Sequence, residues 1–278
     1  MLGSQGGGAR PALVAGLAGG VFLMIFPIAW MLLVSLKTEP ETFAYPMTWL
    51  PREPTLRNYA TVWLLKNFAR YFLNSAVVAG VTTLLAMAVA APAAYGFSRF
   101  RYPFSGTLQS FFLTTQMVPG ILLVIPYFVM MRAAGLINSY PSLFLIYTAL
   151  ALPFCTWMLI GFFHGIPREI DQAALVDGCG KFGVFFRVVL PLAAPGLAAT
   201  ALFAFLVAWK EYLFALALTS DESMYVLTVG IGNLFGEVRV AWNEVMAAAM
   251  IATVPALVFY AFLERHMVRG LTAGAVKG

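Results

Sequence analysis

Along this chain, long stretches almost free of charge alternate with short ones that hold nearly all of it. Pro11 to Leu36 has no charged side chain over 26 residues, more than the ~7–15-residue core of a secretory leader. It is long enough to cross ~30 Å of hydrocarbon. Runs of this kind predict six spanning helices, at about residues 12–35, 71–98, 107–131, 143–163, 196–218 and 243–263. None shows the alternating ~10-residue segments of a membrane barrel. The fold class expected is an all-α polytopic membrane protein.

The polar stretches between these runs set the organisation. The first ten residues are Gly-rich and expected to be disordered. Residues 37–70 are polar, Pro-rich and aromatic, and predict an extracytoplasmic loop ending in a short amphipathic helix. Trp49 and Trp63 there suit a membrane interface. Six spans put both termini on one side. Basic residues of the short loops favour the cytoplasm for the termini, for 98–106, for 166–195 and for the 265–278 tail. Within the second span, Gly80, Ala86, Ala88, Ala90, Ala91, Ala93 and Ala94 permit close helix contact. Pro27 predicts a kink in the first span, and Pro119, Gly120 and Pro126 interruptions of the third.

Composition narrows the function. The chain is 61% hydrophobic and 10% charged, against about a quarter charged in soluble domains, which excludes one soluble core. The net charge of +5 is scattered, without the basic run that nucleic acid would need. Cys155 and Cys179 fall in opposite environments, so neither a disulfide nor a metal framework is expected. His164 and His266 stand apart with no carboxylate pattern around them. No nucleophile is paired with a base, and the chain is not expected to be an enzyme.

Ile166–Pro195 is the interruption that combines charge with amphipathic helical patterning along its whole length. Pro167 suits a first helical turn, Glu169 and Asp171 favour the positive end of the helix dipole, and Asp177-Gly178 predicts a left-handed stop. Ala173 and Ala174 offer a small flat face. A second helix should carry Phe182, Phe185, Phe186, Val189 and Leu190, with Pro191 and Pro195 ending it. Gly178-Cys179-Gly180-Lys181-Phe182-Gly183 spells G-x-G-x-x-G, but an acidic helix precedes it instead of a strand. Phe182 stands where a phosphate loop needs Ser or Thr. ATP is therefore not bound by that route.

The run Gln172-Ala173-Ala174-x-x-Asp177-Gly178, with Phe185-Phe186 and Leu190-Pro191-x-x-x-Pro195, resembles the EAA loop of ATP-binding-cassette importer permeases. Gln172 stands where that family usually has Glu. Asn74-Ser75, Ala94 to Arg99, Leu152-Pro153-Phe154 and Trp209 to Leu213 also fit, with Lys210 where Asn is commoner. The tail from Gly270 is similar to the maltose and trehalose branch. The resemblance implies a type I importer permease of the bacterial or archaeal cell membrane. It implies a sugar pathway shared with a second homologous permease, two ATP-binding subunits that hold ATP and Mg, and an extracytoplasmic solute-binding protein. Glu169, Gln172, Ala173, Ala174, Asp177, Gly178 and Pro191 would form the coupling segment that docks on the ATPase.

Lys210 and Glu211 fall within the fifth span, where a charge costs several kcal/mol and normally faces a bundle interior or a wet cavity. They are candidates for the pathway or for a structural ion pair. Gln116, Tyr127, Tyr147, Trp157 and Trp209 are further pathway candidates, because aromatic faces and amide donors suit sugar rings. The alternative is an ion-coupled secondary transporter relaying charge through Lys210 and Glu211. That reading finds no inverted repeat and leaves 166–195 without a purpose.

Overall fold

The computed structural model describes the backbone of residues 9–100, 103–236 and 239–275, and side chains of 13–100, 103–236 and 239–262. The Gly-rich residues 1–8 and the side chains of the 265–278 tail lie outside the described residues. Every regular element described is helical. The longer ones are α1 (Ala9–Ser35), α2 (Phe68–Arg99), α3 (Ser105–Thr115), α4 (Gly120–Ala133) and α5 (Tyr140–His164). They are followed by α6 (Arg168–Val176), α7 (Lys181–Leu192), α8 (Ala194–Trp209), α9 (Leu213–Leu218), α10 (Leu227–Leu234) and α11 (Trp242–Ala275).

Four helices are long and apolar enough to cross a membrane, within α1, α2, α5 and α11. Two bent pairs, α3 with α4 at 96° and α7 with α8 at 79°, are each long and apolar enough only when taken together. Counting each pair once gives six, but the second pair covers Lys181–Trp209 and not the fifth span expected at 196–218. The third span thus breaks around Gln116–Pro119, while Pro126 sits inside an unbroken α4. Likewise α1 runs through Pro27.

The fifth span differs most from expectation. The apolar run at 196–218 is not one helix: α8 stops at Trp209, and α9 starts again at Leu213. A 16-residue helix rises only ~24 Å, short of the ~30 Å of a bilayer core. Lys210 and Glu211 therefore occupy a break, not a helix interior.

The chain divides into two compact units. One contains residues to Phe68 and Ile231–Thr253. Its centre is a polar knot around Asn58. Asn58 donates to the carbonyls of Ser35 and Lys37 at 2.7 and 2.8 Å and accepts from Asn243 at 2.8 Å. Lys37, buried in the expected outer loop, donates to the carbonyl of Thr48 and lies 5.1 Å over the Trp30 ring. Trp49 meets Trp30 edge-on and stays exposed.

The other unit contains Ala69–Gly230 and the chain from Val254. Its core is built on small residues, as membrane helices need for close approach. Ala86, Ala90, Ala91 and Ala94 of α2 share one cluster with Ala151, Cys155, Leu159 and Phe163 of α5. Ala88 instead points outward. Gly196 of α8 lies against the face of Phe162, leaving no room for a Cβ.

Candidate functional site

The segment after α5 folds as the spacing of its residues requires. Pro167 has no N–H to give, and it stands as the cap just before Arg168, with φ −57° and ψ 139°. That is one residue ahead of the first turn expected for it. Glu169 and Asp171 occupy the first turn, where the helix dipole favours negative charge. α6 ends at Gly178, whose φ of +88° is open to glycine and costly for other residues. The N–H groups of Asp177 and Cys179 close the turn on Ala173 O at 2.9 Å and Ala174 O at 3.0 Å.

α7 follows after two residues, and its middle, Val184–Val189, takes π-helical hydrogen bonding. Pro191 does not end it. It lies within the last turn, Leu190–Leu192, directly after the wide π turn, where no regular α ladder is interrupted. The bend falls at Ala193, and Pro195 lies in the first turn of α8.

Ala173 and Ala174 do not form one outward face. Successive helical residues lie ~100° apart, and Ala174 turns into the chain's own core with Phe163 and Phe185. The outward stripe is Glu169, Gln172, Ala173 and Val176, with Asp177 and Gly178 beside it. Val176 and Phe182 are 87% and 82% exposed.

α6 is fastened to the end of α2. Arg99 donates through Nε to Asp171 at 2.7 Å, through one terminal nitrogen to Phe163 O at 3.0 Å, and through the other to Ile166 O at 3.0 Å. Tyr95 donates to the same Asp171 oxygen at 3.2 Å, and Arg168 returns a bond to Ser98 O at 2.8 Å. Beside this cluster a cleft of about 220 Å³ is lined by Arg168, Gln172, Leu175 and Lys181.

The pathway candidates gather around the two broken spans. Glu211 is half-buried, and its carboxylate accepts the N–H groups of Phe214 at 3.0 Å and Ala215 at 3.1 Å. It thereby caps α9, whose first N–H groups have no helical partner. Tyr147, fully buried, donates to its Oε2 at 2.8 Å, and Thr228 donates to its carbonyl at 2.6 Å. Phe214 then packs edge-on against Tyr127 at 5.7 Å and faces Gly120 at the start of α4. Gln116, at the break between α3 and α4, donates to Leu150 O at 3.2 Å.

Other candidates stand outside this hydrogen-bonded set, although Trp209 and Lys210 lie at the same break. Trp209 is buried between the rings of Phe205 and Phe72. Trp157 is exposed and packs against Phe154. Lys210 is exposed at the C-terminal cap of α8. No group of three His, Cys, Asp or Glu able to hold a metal occurs among the described residues.

The polar anchoring of the loop after α9 is not legible in the sequence. Asn138 accepts the N–H groups of Ser220 and Asp221, and Arg70 and Asn74 donate to Ser223 O, each at about 3.0 Å. Tyr71 donates to Glu222 at 2.7 Å. The Ser223 N–H on Asp221 at 2.8 Å, with the Ser223 side chain, holds the Asp221 carboxyl below the usual range. Only Asn74 carried a prior signal, as part of the Asn74-Ser75 pair.

Residues 83–273 match the family of "Binding-protein-dependent transport system inner membrane component". The chain is 39% identical over 254 residues to the sulfoquinovosyl glycerol transport system permease protein SmoH of Agrobacterium fabrum, covering 91% of this chain and 89% of that one. It is 34% identical to the trehalose/maltose transport system permease protein MalG of Thermococcus litoralis, covering 97% of each. Its fold is similar to a chain in the crystal structure of a bacterial ABC transporter that imports alginate, with TM-score 0.78, 19% identity, and 95% and 99% of the two chains covered. The family match over residues 83–273 and the apolar helices make this a multi-pass inner-membrane protein, and the chain belongs to the binding-protein-dependent transport system permeases.

Proposed function

We propose that this permease carries a sugar or sugar conjugate across the inner membrane, with a homologous permease forming the other half of the path. Similarity along nearly the whole chain to permeases named for sulfoquinovosyl glycerol and for trehalose and maltose supports that substrate class. An extracytoplasmic binding protein delivers the substrate. Two ATPase subunits bind ATP and Mg and drive the change between outward-open and inward-open states.

The observation that carries the reading is the outward stripe of α6. It places Glu169, Gln172, Ala173 and Val176 on one exposed line ending at Gly178. No carboxylate stands at Gln172, so docking there rests on shape around Ala173 and Gly178. Pro191 shapes the far end, while Ala174 supports α6 from within. Glu211 speaks against the ion-relay alternative, because its carboxylate already accepts three hydrogen bonds at a helix break.

Uptake into vesicles holding both permeases, both ATPases and the binding protein tests this. Transport should require ATP and the binding protein and survive an uncoupler. Uptake that persists without ATPase subunits and collapses with the uncoupler would make the chain a secondary transporter.

A further inference from the structure

α6 hangs from α5 by a short joint, His164 to Pro167, and the Gly165 within it has no side chain to stiffen the turn. A helix pushed from the cytoplasmic side would flex such a joint and lose the movement there. The structure shows what prevents this. One guanidinium, that of Arg99, holds acceptors on both sides of the joint: Phe163 O at the end of α5, Ile166 O inside the joint, and Asp171 within α6. A longer fourth contact reaches the second Asp171 oxygen at 3.4 Å. The Arg99 and Asp171 side chains are 6% and 13% exposed, so water competes little for these bonds. Arg168 completes the brace by donating back to Ser98 O at 2.8 Å.

The geometry points to Arg99 as the positioning residue that splints this joint and carries movement of α6 into α2 as well as α5. It acts through Asp171 and the two carbonyls, not on substrate. The planar fork matters as much as the charge, because lysine's single ammonium cannot reach three separated acceptors with fixed directions. This inference deepens the proposed function and rests on α6 being where the ATPase pushes.

The test uses the assembled transporter, with Arg99→Ala, Arg99→Lys and Asp171→Asn. Sugar taken up per ATP hydrolysed is measured alongside recovery of the ATPase subunits. Spin labels on Leu175→Cys, off the docking stripe, and Trp157→Cys, with Cys179→Ser, report the spread of distances across the joint. In Arg99→Lys the ATPase subunits stay bound, the distance distribution broadens, and sugar per ATP falls by about fivefold or more, the usual lower range of a coupling between sites. Asp171→Asn keeps the carbonyl bonds and falls less. If Arg99→Ala does not assemble, Arg99→Lys is decisive. A wild-type sugar-to-ATP ratio and an unchanged distance distribution in that variant would overturn the inference. Should the wild-type complex show no ATP-driven uptake, the proposed function fails, and the label distances still decide whether Arg99 splints the joint.

Discussion

The Tyr147 hydroxyl donates to Glu211 Oε2 at 2.8 Å, joining the fully buried middle of α5 to the break between α8 and α9. One carboxylate thereby satisfies a phenol and two backbone N–H groups that apolar surroundings would otherwise leave without partners. Glu211→Gln replaces one acceptor oxygen with a donor, and either oxygen faces a backbone N–H that can only donate. It should cost about 1–3 kcal/mol, the penalty of an unsatisfied buried group. Thermal unfolding in detergent should show a clearly lowered midpoint. Tyr147→Phe leaves Oε2 with the Ala215 N–H and should shift it less.

Gly178 ends α6 with φ +88°. Gly178→Ala forces a side chain into a left-handed conformation at about 1–2 kcal/mol. It should lower ATP-dependent uptake more than it lowers the amount of folded protein in the membrane. Equal uptake per folded molecule would mean that the corner has no part in docking.

Gly196 faces the Phe162 ring so closely that any Cβ overlaps it. Gly196→Ala must separate α8 from α5 or turn the ring, an overpacking cost of about 1–3 kcal/mol. The thermal midpoint should fall. Gly180→Ala, with open space around it, is the control and should leave the midpoint near wild type.

Asp221 supplies a pH dependence outside the spans. Its carboxyl is held below the ordinary value by the Ser223 N–H and side chain. A carboxyl lowered in the folded state stabilises its loop fully above the unfolded value of about 3.9 and loses that as pH falls through the lower folded value. Amide exchange at Ser223, corrected for intrinsic rates, should quicken only below that ordinary value. Asp221→Asn keeps an acceptor for the N–H and should abolish the pH dependence.

Spans at 71–98 and 143–163 were readable because their apolar runs are single unbroken helices. The helix–Gly178–helix segment was readable because Pro167, the early acids and Gly178 each act on their own backbone neighbours. The break at Lys210–Glu211 was not: hydropathy registers an apolar run on either side and cannot see a carboxylate turned back to cap the next helix. The same holds for Lys37, whose burial depends on Trp30 and the Thr48 carbonyl. Arg99 read as a loop charge at the end of the Ala94–Arg99 run, but its brace did not, because its acceptors Phe163 and Ile166 are backbone groups more than sixty positions away. Ala173 and Ala174 looked equivalent in sequence, and only the rotation of α6 against its core separates them.

The central claim is that the outward stripe of α6 is covered by an ATPase subunit. Protection of single cysteines from a water-soluble thiol reagent tests it most directly, with Cys179→Ser as background and Cys155 buried. Labelling of Ala173→Cys and Val176→Cys should slow severalfold when the ATPase subunits are bound. Labelling of Tyr45→Cys, fully exposed in the loop read as extracytoplasmic, should not change. Equal rates at Ala173→Cys and Val176→Cys with and without bound ATPase would contradict the claim.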